Sequence, residues 1–377
     1  MRAPPPRLIA TSEALEAASR GFAAETTLGL DTEFVRTRTY YARLGLIQIA
    51  DASGVWLVDA VELPSLGPLA PVLGGAAVER VLHSCGEDLG AFLHQFGALP
   101  PSIFDTQIAA ALVGLGFSLS YQSLVEQVLG VRLAKEETRS DWTARPLTDA
   151  QLEYAARDVA YLLPLHSHLL DRLRERGRES WAREEFARLL DPARYEVEPA
   201  EAFRRVKGAG GLDRRGLAVL QVLCEWREEE ARRADLARPF VVRDETLLEL
   251  ARRRPRQPPD LRDVATLQHR ERRRYGRALL EAVERGSRMP EGDLPRLAPR
   301  APRVERASEL VRGLQALVAD RARELGIAPE VLAHKRALER LVREVAGHGS
   351  RELPPELEGW RRDVVGLSAL SFLDSAL

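Results

Sequence analysis

Cysteine is scarce in this sequence, and its scarcity excludes two classes of protein. The 377 residues include only Cys85 and Cys224, which lie far apart along the chain with no second ligand pair nearby. A disulfide framework or a zinc site built from thiolates needs more cysteines than this. Few cysteines are typical of proteins that fold in a reducing cytoplasm, where we expect this protein to be located.

Long apolar runs are also missing. The longest nearly uninterrupted one, from Ile108 to Phe117, is about half as long as a membrane span. The amino-terminal stretch M-R-A-P-P-P-R lacks the apolar segment of a signal peptide. We therefore expect no association with membranes, and because nothing resembles a coiled-coil seam we expect a monomer.

Charge is unevenly distributed along the chain. Residues 1–200 carry 19 Lys and Arg against 27 Asp and Glu, residues 201–300 carry 24 against 17, and residues 301–377 carry 12 against 12. A basic middle segment beside an acidic first half favours a polyanion that one part binds and another part processes. Helical surfaces rich in Arg–Glu pairs give the same counts, so the charge pattern supports nucleic-acid binding without establishing it.

Apolar patterning predicts a mixed sheet flanked by helices in the first half. Three strands follow closely at 26–35, 44–50 and 54–59, and their short connections favour an antiparallel meander. Strands at 78–83 and around 102–106 alternate with helices, and a first helix at 8–24 has Ser12 as its predicted cap.

Helical periodicity dominates the rest of the chain. It covers 213–235, 244–253 and 260–285, and a last block runs from Val304 to Leu377. The segment 286–302 is dense in proline and glycine and predicts a domain boundary. The fold class is therefore α/β followed by all-α.

Asp31 and Glu33 stand two residues apart on the first predicted strand, T-L-G-L-D-T-E-F-V. Side chains at this spacing point to one face of a strand, where two carboxylates repel each other unless a positive charge lies between them. A solvated strand edge and half of a divalent-cation site explain the pair equally well.

Two further acidic positions follow on predicted helices. Ser84 and Glu87 form a predicted capping box that places Asp88 in the first turn of a helix beside a strand end. Thr148 and Gln151 form another, which opens a helix running to about Pro164. On that helix Tyr154 and Asp158 share one face. Each feature alone also occurs in helices without function.

Taken together, the four acids predict a metal-dependent nuclease. Asp31, Glu33, Asp88 and Asp158 could bind two Mg²⁺ or Mn²⁺ ions about 3.5–4 Å apart, the arrangement that cleaves phosphodiesters by in-line displacement. One ion would activate a water and the other would stabilise the departing 3′ oxygen. An ordinary tyrosine is protonated at neutral pH, so we expect Tyr154 to orient the water rather than to abstract its proton.

The acidic motifs carry a resemblance to a known family. D-T-E, H-S-C-G-E-D-L and Y-A-A-R-D resemble the three exonuclease motifs of the DEDD superfamily in its tyrosine-containing branch, and most closely those of bacterial ribonuclease D. Supporting stretches are residues 34–48, 104–110 and S-D-W-T-A-R-P-L-T at 140–148. The block from Leu212 to Ala251 resembles the helicase-and-ribonuclease-D C-terminal (HRDC) module, and residues 304–377 resemble a diverged second copy.

The resemblance implies a ribonuclease H-like mixed-sheet exonuclease domain at 1–190, followed by two small helical HRDC-type domains at 208–290 and 300–377. It also implies a 3′→5′ exoribonuclease that releases 5′-mononucleotides from free RNA 3′ ends, with trimming of tRNA precursors as its role. The metal ligands carried over are Asp31, Glu33, Asp88 and Asp158, with Tyr154 positioning the water. All five match the motifs.

Several residues are candidates for RNA contact or support. Phe34 either packs in the core or stacks on the terminal base, and Tyr40 carries the same ambiguity. The arginine runs are candidates for phosphate contacts or form solvated helix faces: Arg252, Arg253, Arg254, Arg272, Arg273 and Arg274. We expect Asp141, Trp142 and Arg145 to fasten a loop against the nuclease core, and Asp105 to cap a helix.

Two rival functions remain open from the sequence. A DNA-directed 3′→5′ exonuclease would use the same five residues, since recognition of the 2′-hydroxyl leaves no clear mark in a sequence. An inactive RNA-binding adaptor would be expected to have lost a metal ligand, and all four are present.

Overall fold

The chain forms two compact units in the computed structural model, which describes residues 5–133, 140–296 and 305–377. The first unit comprises Met1–Phe34, Leu44–Asp191 and Ala301–Leu377. The second comprises Val35–Arg43 and Pro192–Arg300. The predicted boundary segment at 286–302 falls partly outside the described residues, as does Val304.

A mixed sheet forms the centre of the first unit. Its strands, among the described residues, are β1 (Arg7–Ile9), β2 (Thr27–Val35), β3 (Arg43–Asp51), β4 (Gly54–Asp59), β5 (Glu79–Leu82) and β6 (Ile103–Asp105). Their order across the sheet is β1-β4-β3-β2-β5-β6. Strands β3 and β4 pair antiparallel, whereas β1 with β4, β2 with β5 and β5 with β6 pair parallel. The predicted mixed sheet is confirmed.

Helices surround this sheet and build the rest of the chain. Those between residues 12 and 189 are α1 (Ser12–Phe22), α2 (Ala70–Gly74), α3 (Gly86–Phe96), α4 (Thr106–Leu112), α5 (Tyr121–Leu129), α6 (Asp149–Ala160), α7 (Leu162–Glu175) and α8 (Glu179–Leu189). The second unit contains α9 (Arg214–Ala234), α10 (Arg238–Val241), α11 (Asp244–Arg253) and α12 (His269–Ser287). The carboxyl-terminal part contains α13 (Ala307–Leu325), α14 (Pro329–Leu332), α15 (Lys335–Val342) and α16 (Leu367–Ala376).

Shorter turns complete the helical structure. Two π-helical segments lie at Arg343–Gly347 and Arg362–Gly366. The 3₁₀ turns are Gly67–Leu69, Pro192–Arg194, Pro199–Arg205, Ala209–Gly211, Pro258–Arg262, Glu291–Asp293 and Pro355–Leu357.

Several predicted helix ends are corrected. Thr11, not Ser12, caps α1, because its side chain accepts the Ala14 amide. The helix predicted to reach Pro164 ends at Ala160, and after Tyr161 a separate helix, α7, begins at Leu162. The helix predicted from residue 260 begins only at His269, because Pro258–Arg262 forms a 3₁₀ turn.

The carboxyl-terminal helices pack against α8 and its neighbours within the first unit. The rings of Trp181 and Trp360 stack with centroids 4.4 Å apart and planes 11° apart. The Arg178 guanidinium donates to the carbonyls of Leu112 at 2.7 Å and Leu325 at 2.6 Å. These contacts join three stretches that are distant in sequence.

The second unit is held by a helical core of its own. Leu220 and Leu223 on α9 and Leu279 on α12 are fully buried, and each such side chain contributes roughly 1.5–3 kcal/mol on burial. The two helices approach closely because Gly286 has no side chain, and a Cβ there would lie 2.5 Å from the Val219 Cα. No helix in the described ranges is both long and apolar enough to cross a membrane.

Candidate active site

Strand β2 holds two carboxylates near its carboxyl-terminal end. Leu28 and Leu30 are 0% and 1% exposed and anchor the strand in the core. Asp31 and Glu33 stand on either side of Thr32 and therefore project from one face. Both acidic residues are partly exposed.

Asp158 joins them from helix α6. The capping box predicted at its start is present: the Gln151 amide nitrogen donates to the Thr148 hydroxyl at 3.2 Å, and the Thr148 amide donates to the Gln151 side chain at 3.0 Å. One carboxylate oxygen from each of Asp31, Glu33 and Asp158 lies within 4.8 Å of the others. Three acids from two elements that are distant in sequence thus form one cluster.

Asp88 lies beside this cluster rather than within the 4.8 Å set. It is buried in the first turn of α3 and accepts a hydrogen bond from the Thr32 hydroxyl. Its charge is close enough to raise the pKa of both Asp31 and Glu33. Thr32 therefore connects the fourth acid to the strand that holds the first two.

The capping box predicted for α3 is absent. The helix begins at Gly86 after Cys85, and no side chain caps it. Ser84 has a positive φ of 58°, so its backbone does not take the extended conformation typical of a capping residue. The Asp105 carboxylate instead accepts the Cys85 amide at 3.0 Å and also caps α4 through the amides of Gln107 and Ile108.

The clustered acids hold their protons more tightly than ordinary carboxyl groups. Burial, followed by repulsion from Asp88, Asp158 and Glu33, raises the pKa of Asp31 well above its usual range. Burial followed by the charges of Asp158 and Asp88 raises the pKa of Glu33 to about 8. Burial also raises the pKa of Asp158 to about 7 and that of Asp88 to about 6. At neutral pH full ionisation of this set requires compensating positive charge.

Tyr154 shares the α6 face of Asp158 and is hydrogen-bonded to it. Burial, then the nearby charges of Asp158 and Glu33, raise the pKa of the Tyr154 phenol far above its usual range. The hydroxyl therefore remains protonated at neutral pH. It can donate or accept a hydrogen bond, but it is not a base under these conditions.

The loop before α6 packs against Tyr154. The buried Trp142 ring lies 5.9 Å from the Tyr154 ring, centroid to centroid. Arg145 fastens this loop through the Asp59 carboxylate at 2.6 and 2.7 Å and through the Gly45 carbonyl at 2.7 Å. A Cβ at Gly45 would lie 2.2 Å from the Trp142 carbonyl oxygen. Only glycine permits the strand to come so close.

Two supporting residues were missed by the sequence analysis. Thr32 is visible in the D-T-E motif, but its bond to Asp88 depends on a residue 56 positions away. Tyr121 accepts the Tyr161 amide at 3.1 Å and donates to the Arg157 carbonyl at 3.2 Å. Its hydroxyl thereby holds the last turn of α6, which carries Asp158.

This chain is similar to known proteins over most of its length. A family model described as 3′-5′ exonuclease matches residues 6–174, and a model of the HRDC domain matches residues 216–283. Ribonuclease D of Pseudomonas paraeruginosa is 41% identical over 95% of this chain and 94% of its own length. The crystal structure of Escherichia coli RNase D, described as an exoribonuclease involved in structured RNA processing, superposes with a TM-score of 0.87 at 37% identity, covering 98% of each chain.

The chain belongs to the ribonuclease D family. It is accordingly a 3′→5′ exoribonuclease, a hydrolase that acts on RNA. A structure of the catalytic core of RRP6 from Trypanosoma brucei, 24% identical with a TM-score of 0.57, shares the fold.

The two aromatic candidates for RNA contact in this ribonuclease D family member have different surroundings. Phe34 is partly exposed at the end of β2, next to Glu33, and stacking on a terminal base stays a prediction. Tyr40 belongs to the second unit. Its hydroxyl donates to the buried Glu228, and the guanidinium of Arg238 lies 4.9 Å from its ring centroid. The Tyr40 ring is thus already packed against a cation.

The six predicted arginines of the second unit differ in their partners. Arg253 pairs with Glu249 at 2.8 Å, Arg254 pairs with Asp213, and Arg274 lies 3.9 Å from Glu230. Arg252, Arg272 and Arg273 have no such acid partner among the described residues. RNA contact by any of the six stays a prediction.

Proposed function

We propose that this exoribonuclease uses two divalent cations, Mg²⁺ or Mn²⁺, held by Asp31, Glu33, Asp88 and Asp158. The supporting observation is the cluster of carboxylates with raised pKa values around a protonated tyrosine. The donor set consists of carboxylate oxygens, which hard divalent cations prefer. The residues present therefore fit the ions that the proposal requires.

Each residue of the site would have a distinct role in the reaction. When bound, the cations would supply Lewis-acid stabilisation of the attacking water and of charge on the departing 3′ oxygen. Tyr154, whose phenol keeps its proton, would hold that water by a hydrogen bond, and Asp158 would fix the direction of the phenol. Trp142 would limit the movement of the Tyr154 ring.

We further propose that the products are 5′-mononucleotides and that tRNA precursors with 3′ extensions are among the substrates. RNA is supported by the ribonuclease D relatives. We also propose three functional domains at 1–190, 208–290 and 300–377, of which the last is a second HRDC-like module, and an active monomer in the cytoplasm.

The test is digestion of a 5′-end-labelled tRNA precursor with a 3′ extension, with Mg²⁺ or Mn²⁺. We expect a ladder of shortening products and release of 5′-mononucleotides, both abolished by chelator and by Asp31→Ala. A matched control is Asp171→Ala, which removes an exposed acid from α7. Degradation that survives both chelator and Asp31→Ala would refute the proposal.

Parallel assays with DNA of the same sequence separate the rival exonuclease. We expect faster digestion of RNA, and equal or faster digestion of DNA would favour the DNA-directed alternative. The inactive adaptor is excluded by any metal-dependent turnover that Asp31→Ala removes.

A further inference from the structure

A cationic cavity of about 510 Å³ lies within the second unit. Its wall combines the segment that follows β2 with helices of that unit. The charged residues lining it are five arginines and one acid: Arg36, Arg205, Arg227, Arg238, Arg243 and Asp244. The lining is therefore strongly positive, in a chain whose net charge is close to zero.

Two of these arginines are structural. Arg238 forms two hydrogen bonds to the buried Glu228. Arg227, which is 5% exposed, donates to the Val242 carbonyl at 2.9 Å and to Asp244 at 2.7 Å. Their partners neutralise much of their charge and fix the shape of the wall.

The other arginines leave positive charge available to a ligand. Arg36 and Arg205 are exposed and have no hydrogen-bond or ion-pair partner among the described residues. Arg243 lies 3.5 Å from Glu245, and both side chains are more than half exposed, so this pair contributes little. Arg227 also keeps a buried Nε–H that has no acceptor in the part of the chain that the structure describes.

The residues that line the cavity favour phosphate groups over a stacked base as its ligand. Tyr40 is the aromatic residue of the lining, but its ring is packed against the guanidinium of Arg238 and its hydroxyl is bonded to Glu228. Arginine presents planar donors that match phosphate oxygens. A free nucleotide would gain little from a cavity without a stacking surface, whereas a strand places several phosphates along a row of cations.

We propose that this cavity binds backbone phosphates of the RNA substrate, with Arg36 and Arg205 as the principal contacts and Arg243 beside them. The inference rests on the proposed function, because it takes single-stranded RNA as the ligand. Arg36 is the third residue after Glu33 in the chain, so the segment that contributes it continues directly from the strand carrying two of the proposed metal ligands.

The test is equilibrium binding of a fluorescent 12-nucleotide single-stranded RNA, measured by anisotropy across a range of salt concentrations. All proteins in this assay carry Asp31→Asn and are kept in chelator, so that cleavage of the RNA does not disturb the binding measurement. The reference protein carries Asp31→Asn alone. The test variant adds Arg36→Gln and Arg205→Gln. The matched control adds Arg277→Gln and Arg288→Gln, which removes two exposed, acid-paired arginines from α12 and the residue after it.

Loss of two phosphate contacts should reduce the slope of log Kd against log salt by about 1.4, which corresponds to roughly 10- to 30-fold weaker binding at 0.1 M salt. Unchanged melting temperature in the test variant would show that it is folded, and Arg205→Glu should weaken binding further.

Equal weakening in the control pair would overturn the proposal, as would an unchanged salt slope in the test variant. Displacement of the RNA from the Asp31→Asn reference protein by 1 mM adenosine monophosphate at fixed ionic strength would assign the cavity to a free nucleotide instead. Failure of the unaltered protein to degrade RNA with metal ions would refute the proposed function. Degradation is measured separately from these affinities.

Discussion

Replacing Asp31 with asparagine is expected to make the metal-free protein more stable while it abolishes nuclease activity. Burial and the charges of Asp88, Asp158 and Glu33 raise the pKa of Asp31 in the folded state. An acid with a raised pKa binds its proton more tightly when the chain is folded, so ionisation weakens folding. Asparagine removes one charge from the cluster and nearly preserves the shape of the side chain.

The size of this effect follows from the raised pKa values. A shift of the Glu33 pKa from 4.5 to about 8 corresponds to on the order of 5 kcal/mol for one isolated group. Ionisation of one acid depends on the charge of the others, and the site is not fully buried. We therefore expect Asp31→Asn to raise the free energy of unfolding by only about 1–2 kcal/mol. That gain is a rise in Tm of roughly 2–8 °C.

The pH dependence has a definite sign. Well below the ordinary pKa values of 3.8 for Asp31 and 4.5 for Glu33, the carboxyl groups are protonated in both states and the full stability of the parent is present. As pH rises from there toward the Glu33 pKa of about 8, the unfolded chain releases protons that the folded parent still holds, and the stability of the parent falls. The advantage of Asp31→Asn should therefore be smaller at pH 5 than at pH 8.5.

Thermal unfolding in the presence of chelator at pH 5 and pH 8.5 measures this difference, with Asp171→Asn as the exposed-acid control. Added Mg²⁺ should raise the Tm of the parent more than that of Asp31→Asn, because the variant has lost a ligand. A variant that is destabilised equally at both pH values would refute the electrostatic reasoning.

Three further substitutions test the support of the site. Tyr154→Phe should lower kcat roughly 100-fold at saturating metal, and a rate within twofold of the parent would contradict the role of the phenol. Thr32→Val removes the hydrogen bond to Asp88 and should raise the Mg²⁺ concentration for half-maximal rate roughly 10-fold; an unchanged metal dependence would argue against it. Arg145→Met leaves Asp59 buried without its partner and should cost about 3 kcal/mol of unfolding free energy by urea titration, with Asp59→Asn in the same chain recovering part of the loss.

Regular strands and capped helices could be predicted because their signals are local. The alternation in β2, β3 and β4 placed those strands within one residue at each end. The three residues of β1 are too few for alternation to be recognised, and the strand was not predicted. Thr148 and Gln151 cap a helix by contacts within four residues, so their pattern was sufficient.

The predicted capping box at Ser84 does not form, because a contact with a residue distant in sequence determines the local structure. The same residue types are present, but the Cys85 amide is bound by Asp105, 20 residues further on. Tyr40 likewise could not be interpreted from its neighbours, because its partner Glu228 is 188 residues away. Contacts between distant segments determined which of two plausible local patterns the chain adopted.

The acidic cluster combines both kinds of information. Strand parity aligns Asp31 with Glu33, and helical spacing aligns Tyr154 with Asp158, so each pair follows from the sequence alone. Only packing of α6 on the sheet brings a carboxylate oxygen of Asp158 within 4.8 Å of those of Asp31 and Glu33, and this packing increases the repulsion that raises the pKa values of Asp31 and Glu33. Folding therefore works against the charges of the site, and cations that relieve the repulsion would stabilise the same arrangement that binds them.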